Sequence, residues 1–562
     1  MKANRKYFLI AIITIAVSVW FSNLTALAQT PDFDHQDTLR GSITPERAWW
    51  DLTYYHLSVK PNPADSSLSG NVIIQYTVLT PNQNMQIDLQ EPMLIDRVLQ
   101  SGEELTFERL GNVFYLNLKG MQQAGDKNEV QIFYHGKPKV SLRPPWDGGI
   151  AWKSDSKGNP FVATACQGEG ASLWWPCKDH MYDEPDSMRI SITVPKGLTG
   201  VANGRLEKTV KNKNDKTETF QWVVKNPINN YGVNMNVGAY VSYSEVYDGE
   251  NGPLDCSYYV LSEDIDRAMK HFKQVPMMLE AFEYWFGPYP FYEDSYKLVQ
   301  VPYPGMEHQS SVTYGNGFKN GFYSMDLSNT GWGSKWDFII VHESAHEWFA
   351  NSITYRDIAD MWIHESFAAY SESLFTEYYY GIDAGADYVR GTRANINNDR
   401  PIIGLYDVNY EGSGDMYPKG ANMLHTLRQI VNNDSIWVAL LRGLNMEFYH
   451  QTVNTAQVEN YMAEFLGLEL RNFFDQYLRD KRIPVFEYTL HGHVLRYRWN
   501  NCIDTFNMPL KVDIDGEEIW LEPTTNWKMK VLDKQGTNLK VDPNFYVAEV
   551  NLQGSSKFGP VE

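Results

Sequence analysis

His342 and His346 stand four residues apart in the run Ile339-Ile340-Val341-His342-Glu343-Ser344-Ala345-His346, and Glu365 follows after eighteen intervening residues. Residues four apart on a helix lie one turn above each other, so both imidazoles can reach one ion only if this run is helical. Glu343 then points around the helix, beside the metal but off the two-histidine axis, where it can hold a water. Glu365, within Trp362-Ile363-His364-Glu365-Ser366-Phe367-Ala368, is the candidate third ligand. Three protein ligands leave a fourth position open, as a catalytic zinc requires and a structural zinc does not.

The flanks carry the same period. Trp348 and Phe349 continue the apolar face, and Asn351 is placed to end that helix before Ser352-Ile353-Thr354. A second helical pattern runs over 358–380 with Trp362, Phe367, Leu374 and Tyr378 inward. The expectation is helix, short connection, helix, with ligands from both. His364 points about 100° away from Glu365 around its helix and reads as a packing residue rather than a fourth ligand.

The first 28 residues read as a cleavable export leader. Lys2, Arg5 and Lys6 precede an uncharged apolar run from Tyr7 to Phe21, and Ala26-Leu27-Ala28 offers a small-residue cleavage site. That run is shorter than the ~20 residues a membrane span wants, so cleavage is favoured over a retained anchor. The mature chain is then expected in the periplasm or outside the cell, with no membrane attachment. Its length points to about three domains. The formal net charge of −20 argues against a nucleic-acid partner. Four cysteines (Cys166, Cys177, Cys256, Cys502) are too few for a disulfide framework in so long an exported chain, although Cys166 and Cys177 are close enough in sequence to bridge.

Hydropathy patterning divides the rest. Residues 29–45 are polar and aperiodic, and read as a linker. From 46 to 255 the period is two, with strands over 71–78, 130–134 and 188–194 and turn signals such as Lys60-Pro61-Asn62-Pro63. From 256 to 481 helical spacing dominates. It begins with Ile265, Met269, Phe272, Met278, Leu279, Phe282 and Phe286, is interrupted at Pro276, and returns over 422–431, 435–448 and 468–478. Residues 482–562 alternate again and read as a small β-sandwich. His491 and His493 alternate on a predicted strand there, and a solvated strand face is the preferred reading over a second metal site.

Four further segments extend the metal motif into a resemblance to the M1 family of zinc aminopeptidases over residues 45–480. The spacing of His342, His346 and Glu365 is the gluzincin arrangement, and Trp362 to Ala368 is similar to the family's W-L-N-E-G-F-A, with His364 and Ser366 as departures. Pro304-Gly305-Met306-Glu307-His308 resembles G-x-M-E-N. Cys166-Gln167, followed by Pro176-Cys177-Lys178-Asp179, is similar to the segment that carries an amine-binding Gln or Glu. Asp415-Met416-Tyr417-Pro418-Lys419-Gly420 resembles V-x-Y-x-K-G, and Phe473-Phe474-Asp475-Gln476-Tyr477 resembles F-F-D-Q-W.

The resemblance implies a multidomain α+β fold. A large antiparallel β domain is expected first, then a thermolysin-like, mainly α catalytic domain, then the small β-sandwich. It implies one zinc per chain on His342, His346 and Glu365, with Glu343 as general base and Tyr417 as oxyanion partner. Glu307 and Gln167 would bind the substrate's free N-terminus, while Gly305 and Met306 lie along its backbone. Tyr410 is a neighbouring rival to Tyr417. The substrates implied are peptides. A thermolysin-type endopeptidase, an epoxide hydrolase side activity and an inactive binding protein on the same fold are the alternatives. A chain of this length is not expected to hold the helical solenoid with which many family members cover the site, which would leave that site more open. Pro304 and His308, where the family has Gly and Asn, put the amine end of the site in question.

Overall fold

The computed structural model describes residues 32–553; the leader read in residues 1–28 lies outside them. Strands Ser67–Val78, Lys127–Gly136 and Ser187–Pro195 contain the three sequence-predicted ones and belong to one eight-stranded sheet. Its central strand, Trp50–Asn62, buries alternate side chains. It pairs antiparallel with Ser67–Val78 but parallel with Ser187–Pro195, so the sheet is mixed rather than wholly antiparallel. Parallel neighbours need a long crossover. Here the crossover contains two strands of a second, four-stranded sheet, of which Pro160–Ala165 is almost entirely buried. That strand ends two residues short of Gln167 and so delivers it to the site described below.

The segment read as a linker is structured. Helix His35–Gly41 is closed by a capping box in which Asp34 accepts from backbone N–H groups and Asp37 answers from the third helical position. Leu39 is buried, and Arg40 pairs with Asp179 at 3.3 Å. Capping and ion pairing organise this stretch, and a search for hydrophobic period is blind to both.

The boundary expected at 255 also moves. Hairpin Tyr240–Gly249 and Gly252–Leu261 joins a five-stranded sheet with Tyr296–Gln300, Val312–Tyr314 and Gly305–Met306. The catalytic unit therefore begins near residue 240. Alternation identifies strands but not the sheet that receives them. Helices Ile265–His271 and Gln274–Phe286 follow, broken at Phe272–Lys273, and Pro276 sits in the first turn of the second, where its missing N–H costs no helical bond.

Around the motif, helix Phe338–Ala345 is capped by Asp337, which accepts from the N–H groups of Ile339 and Ile340. The chain leaves helical geometry at Phe349 and Ala350, so the helix stops before the expected Asn351. The partner helix spans Trp362–Tyr380, preceded by a single 3-10 turn over Ile358–Asp360. Trp362, Phe367 and Leu374 are buried there, while Tyr378 is only partly covered. Helices Ile382–Gly391, Pro418–Val431, Asp434–Glu447, Thr455–Leu466 and Arg471–Leu478 complete the unit. The C-terminal region folds as a four-stranded and a three-stranded sheet, and its core is continuous with that of the helical unit: Tyr477 donates to the Tyr546 carbonyl at 2.8 Å.

His491 and His493 do not share a strand face. His491 ends its strand, Gly492 turns with φ +58°, and His493 Nδ1 lies 3.0 Å from the Leu532 carbonyl. All four cysteines are buried and free. Among the described residues no helix is long and apolar enough to cross a membrane.

Candidate metal centre and substrate pocket

His342, His346 and Glu365 converge. Glu365 Oε2 lies 3.6 Å from His342 Nε2 and 3.4 Å from His346 Nε2, and all three residues are buried. Ligand bonds of roughly 2.0–2.1 Å around a tetrahedral ion imply ligand separations of about 3.3 Å, close to these. Glu365 Oε2 is otherwise a buried oxygen without a hydrogen-bond partner among the described residues, which is where a cation belongs. The electrostatics agree. Burial would lower the pKa of His346, yet Glu365 and Glu307 outweigh it and push it up to about 9. Burial would raise Glu365, yet the two imidazoles hold it below the usual carboxylate range. The donor set fits a divalent ion such as zinc.

A second layer orients these ligands. His342 Nδ1 lies 2.7 Å from Glu372 Oε1, and Tyr388 donates to the other Glu372 oxygen at 2.6 Å. His346 Nδ1 lies 3.0 Å from the Phe349 carbonyl, which the break in the helix turns toward it. Both Nδ1 atoms are thereby committed to donating, and both Nε2 lone pairs face Glu365. His364 is not a ligand: its Nε2 accepts from the Tyr355 N–H at 2.8 Å and its ring stacks on Tyr355.

Glu343 stands beside the cluster, and burial first, with help from Glu307, pushes its carboxyl up to about 7. That is the range in which a carboxylate both takes and returns a proton at neutral pH. Tyr417 lines the same pocket, its ring 6.0 Å from that of His342. Its placement depends on Gly420. A Cβ there would come 1.9 Å from Ser366 Oγ, so only glycine lets helix Pro418–Val431 seat against the Glu365 helix. Ser366 Oγ then donates to the Met416 carbonyl at 2.7 Å, fixing the turn that presents Tyr417. Tyr410 instead packs against Phe33.

Glu307 and Gln167 meet although 140 residues separate them. Gln167 Nε2 donates to Glu307 Oε1 at 2.6 Å and to Glu365 Oε1 at 2.8 Å, and Tyr231 donates to Glu307 Oε1 at 3.1 Å. Gly305 and Met306 form the last strand of the five-stranded sheet, paired only with Val312–Tyr314, so its outer edge borders the pocket. A Cβ at Gly305 would lie 2.5 Å from Ile339, so glycine permits the close approach of strand and motif helix. Of the two departures, His308 leaves the cavity wall and Pro304 stays on it. His308 is buried, 3.3 Å from Thr313 Oγ1, and burial pushes its pKa down to about 3, so it is a neutral core residue. The Pro304 carbonyl accepts from Gly315 at 2.7 Å and anchors the strand without needing an N–H.

The cavity, about 530 Å³, has two ends. Glu307 is anchored beyond His346, where Asn351 donates to its carbonyl at 2.8 Å. At the other end of the motif helix Phe338 stacks on His342, and Phe322 packs on Phe338, with Leu327 and Val389 on the same wall. Glu372, Tyr388, Tyr231 and Glu411 escaped sequence reading, as did the roles of Asn351 and Ser366 in the site. Glu372 alone had a local signal, standing two helical turns after Glu365 on the same face.

Two imidazoles and a carboxylate beside an open pocket, with a buried glutamate and a tyrosine in reach, make the donor set of a mononuclear metallohydrolase. The Peptidase family M1 domain matches residues 270–477 and the Peptidase M1 N-terminal domain matches residues 52–231. The chain belongs to peptidase family M1. Its relatives include Probable aminopeptidase 1 of Saccharolobus solfataricus, 21% identical over 82% of this chain and 57% of that protein. Aminopeptidase B of Mus musculus is 22% identical over 79% of this chain and 70% of its own length. The Tricorn protease-interacting factor F2 of Thermoplasma acidophilum is 21% identical over 72% and 50%. The chain thus spans about half the length of two of these. Among solved structures, the M1 zinc metallopeptidase of Deinococcus radiodurans superposes with TM-score 0.64 at 20% identity, over 79% of this chain and 96% of that one.

Proposed function

We propose that the protein is a zinc-dependent aminopeptidase, releasing residues one at a time from the free N-terminus of peptides, with one zinc per chain on His342, His346 and Glu365. The observation that carries this reading is the Gln167–Glu307 pair closing one end of the pocket beside Glu365. A carboxylate there receives an α-ammonium through charge-assisted hydrogen bonds. Gln167 spends its amide hydrogens on Glu307 and Glu365, which leaves its Oε1 to accept from the same ammonium. An endopeptidase has no use for a carboxylate blocking that end.

Zinc held by His342, His346 and Glu365 would supply a Lewis acid for the scissile carbonyl and the attacking water. Glu343 accepts the proton of the attacking water and returns it to the leaving amine, a double duty suited to its raised pKa. The Tyr417 hydroxyl donates to the oxyanion that forms at the carbonyl. The edge of Gly305–Met306 offers main-chain groups to the substrate backbone. The leader read in residues 1–28 supports action in the periplasm or outside the cell. Paired peptides, one with a free N-terminus and one acetylated, test the reading: only the free peptide is expected to lose its first residue, and equal cleavage of both would sink it.

A further inference from the structure

We propose that Glu411 makes this site selective for peptides whose first residue is cationic, arginine above all; the inference rests on the aminopeptidase reading. Among the described residues, five glutamates and neither lysine nor arginine line the pocket. Four have tasks already: Glu365 faces the ion, Glu343 moves the proton, Glu307 meets the ammonium, and Glu372 holds His342. Glu411 has none. Its carboxylate makes no hydrogen bond or ion pair among the described residues. The cation beside it, Arg400, is engaged by Asp399 at 3.2 Å and by the Gly412 carbonyl at 2.9 Å.

The backbone holds Glu411 at the amine end. Asn409 donates to the Gly168 carbonyl at 3.1 Å, next to Gln167, and Gly404 N–H donates to the Ala359 carbonyl at 2.9 Å. The two sides of the loop approach so closely that a Cβ at Gly412 would lie 1.6 Å from the Ile402 carbonyl oxygen. Across the rim stands Trp146, 70% exposed, on a loop pinned by Asp147, which accepts from the N–H groups of Leu142 and Arg143. Neighbouring Gly148 abuts Glu169, placing this loop beside Gly168 as well. A free carboxylate and an indole lining the same pocket are the two surfaces that a guanidinium recognises, by ion pairing and by stacking. The opposite end, walled by Phe322, Leu327 and Phe338, offers a charge nothing. The cationic side chain is therefore that of the first residue rather than of the leaving peptide.

The test compares Arg-Ala-Ala with citrulline-Ala-Ala, which has nearly the same shape without the charge. In the zinc-loaded wild-type protein the ratio of kcat/KM values is expected to favour arginine at least about tenfold, and in Glu411→Gln to fall to within about twofold of one. A ratio near one in the wild type, or the same ratio in both proteins, overturns the inference. Leu-Ala-Ala in the same assay reports on the aminopeptidase reading alone. Calorimetry on Glu343→Gln, which needs no turnover, gives the second readout: arginine peptide is expected to bind at least about tenfold tighter than citrulline peptide. Equal binding, or none of either, overturns the inference even where hydrolysis is lost for other reasons.

Discussion

His342 donates through Nδ1 to Glu372 Oε1 at 2.7 Å, and this one bond turns its Nε2 lone pair toward Glu365. A carboxylate can only accept here, so it selects the tautomer that a metal requires. Tyr388 in turn restrains Glu372 at 2.6 Å. Glu372→Gln is expected to weaken zinc binding by about 10–100-fold while the protein stays folded. Competition with a chelator measures this; unchanged affinity would reduce Glu372 to a space-filling role.

Glu343→Gln is expected to retain a full complement of zinc and lose turnover by about 10²–10⁴-fold, because the shape survives and the base does not. Glu365→Ala is expected to lose the metal itself, since two imidazoles alone leave the cluster without its anionic donor. Elemental analysis beside hydrolysis rates separates the two cases. Near-normal activity in Glu343→Gln would refute the base assignment.

Tyr417→Phe is expected to lower kcat by about 10²–10³-fold with little change in KM, as befits a donor engaged in the transition state. Gly420→Ala probes the same turn from behind, where the new Cβ meets Ser366 Oγ at 1.9 Å. It is expected to lower kcat with zinc content intact. A wild-type kcat in Tyr417→Phe would show that the hydroxyl is not the oxyanion partner.

A buried ion pair just beyond the segment that stood in the sequence as a linker carries a stability prediction. Arg47 is wholly buried, 2.6 Å from Asp88 and 2.8 Å from the Ser42 carbonyl. Removing one partner of a buried pair leaves the other charge uncompensated, at a cost of about 3–5 kcal/mol. Arg47→Met is expected to destabilise the N-terminal domain by that order in urea denaturation. Adding Asp88→Asn in the same protein is expected to recover part of the loss; no recovery would mean that Arg47 acts through its backbone contacts instead.

How much of this was legible follows the range of the interaction. The two histidines, Glu343 and Glu365 were readable because helical periodicity fixes which side chains share a face, and that information is local. Strand alternation was equally local, so the strands over 71–78, 130–134 and 188–194 were found. It could not say that Gly252–Leu261 pairs with Tyr296–Gln300, because pairing partners are chosen by the whole sheet. Periodicity also ran the motif helix to Asn351, where the chain in fact breaks at Phe349 and presents a carbonyl to His346.

By itself, the sequence determined a helix–connection–helix metal motif, a β–α–β order of regions and the residue types for hydrolysis, all of which follow from spacing along one strand or helix. Tertiary structure alone decided that Gln167 reaches both Glu307 and Glu365, from 140 and 198 positions away, that His308 turns into the core, and that Glu411 lines the pocket without a hydrogen-bond or ion-pair partner among the described residues. The reason is physical: a buried polar group must be satisfied by whatever the packed chain brings within about 3 Å, and which groups arrive is settled by the fold, not by their order in the chain.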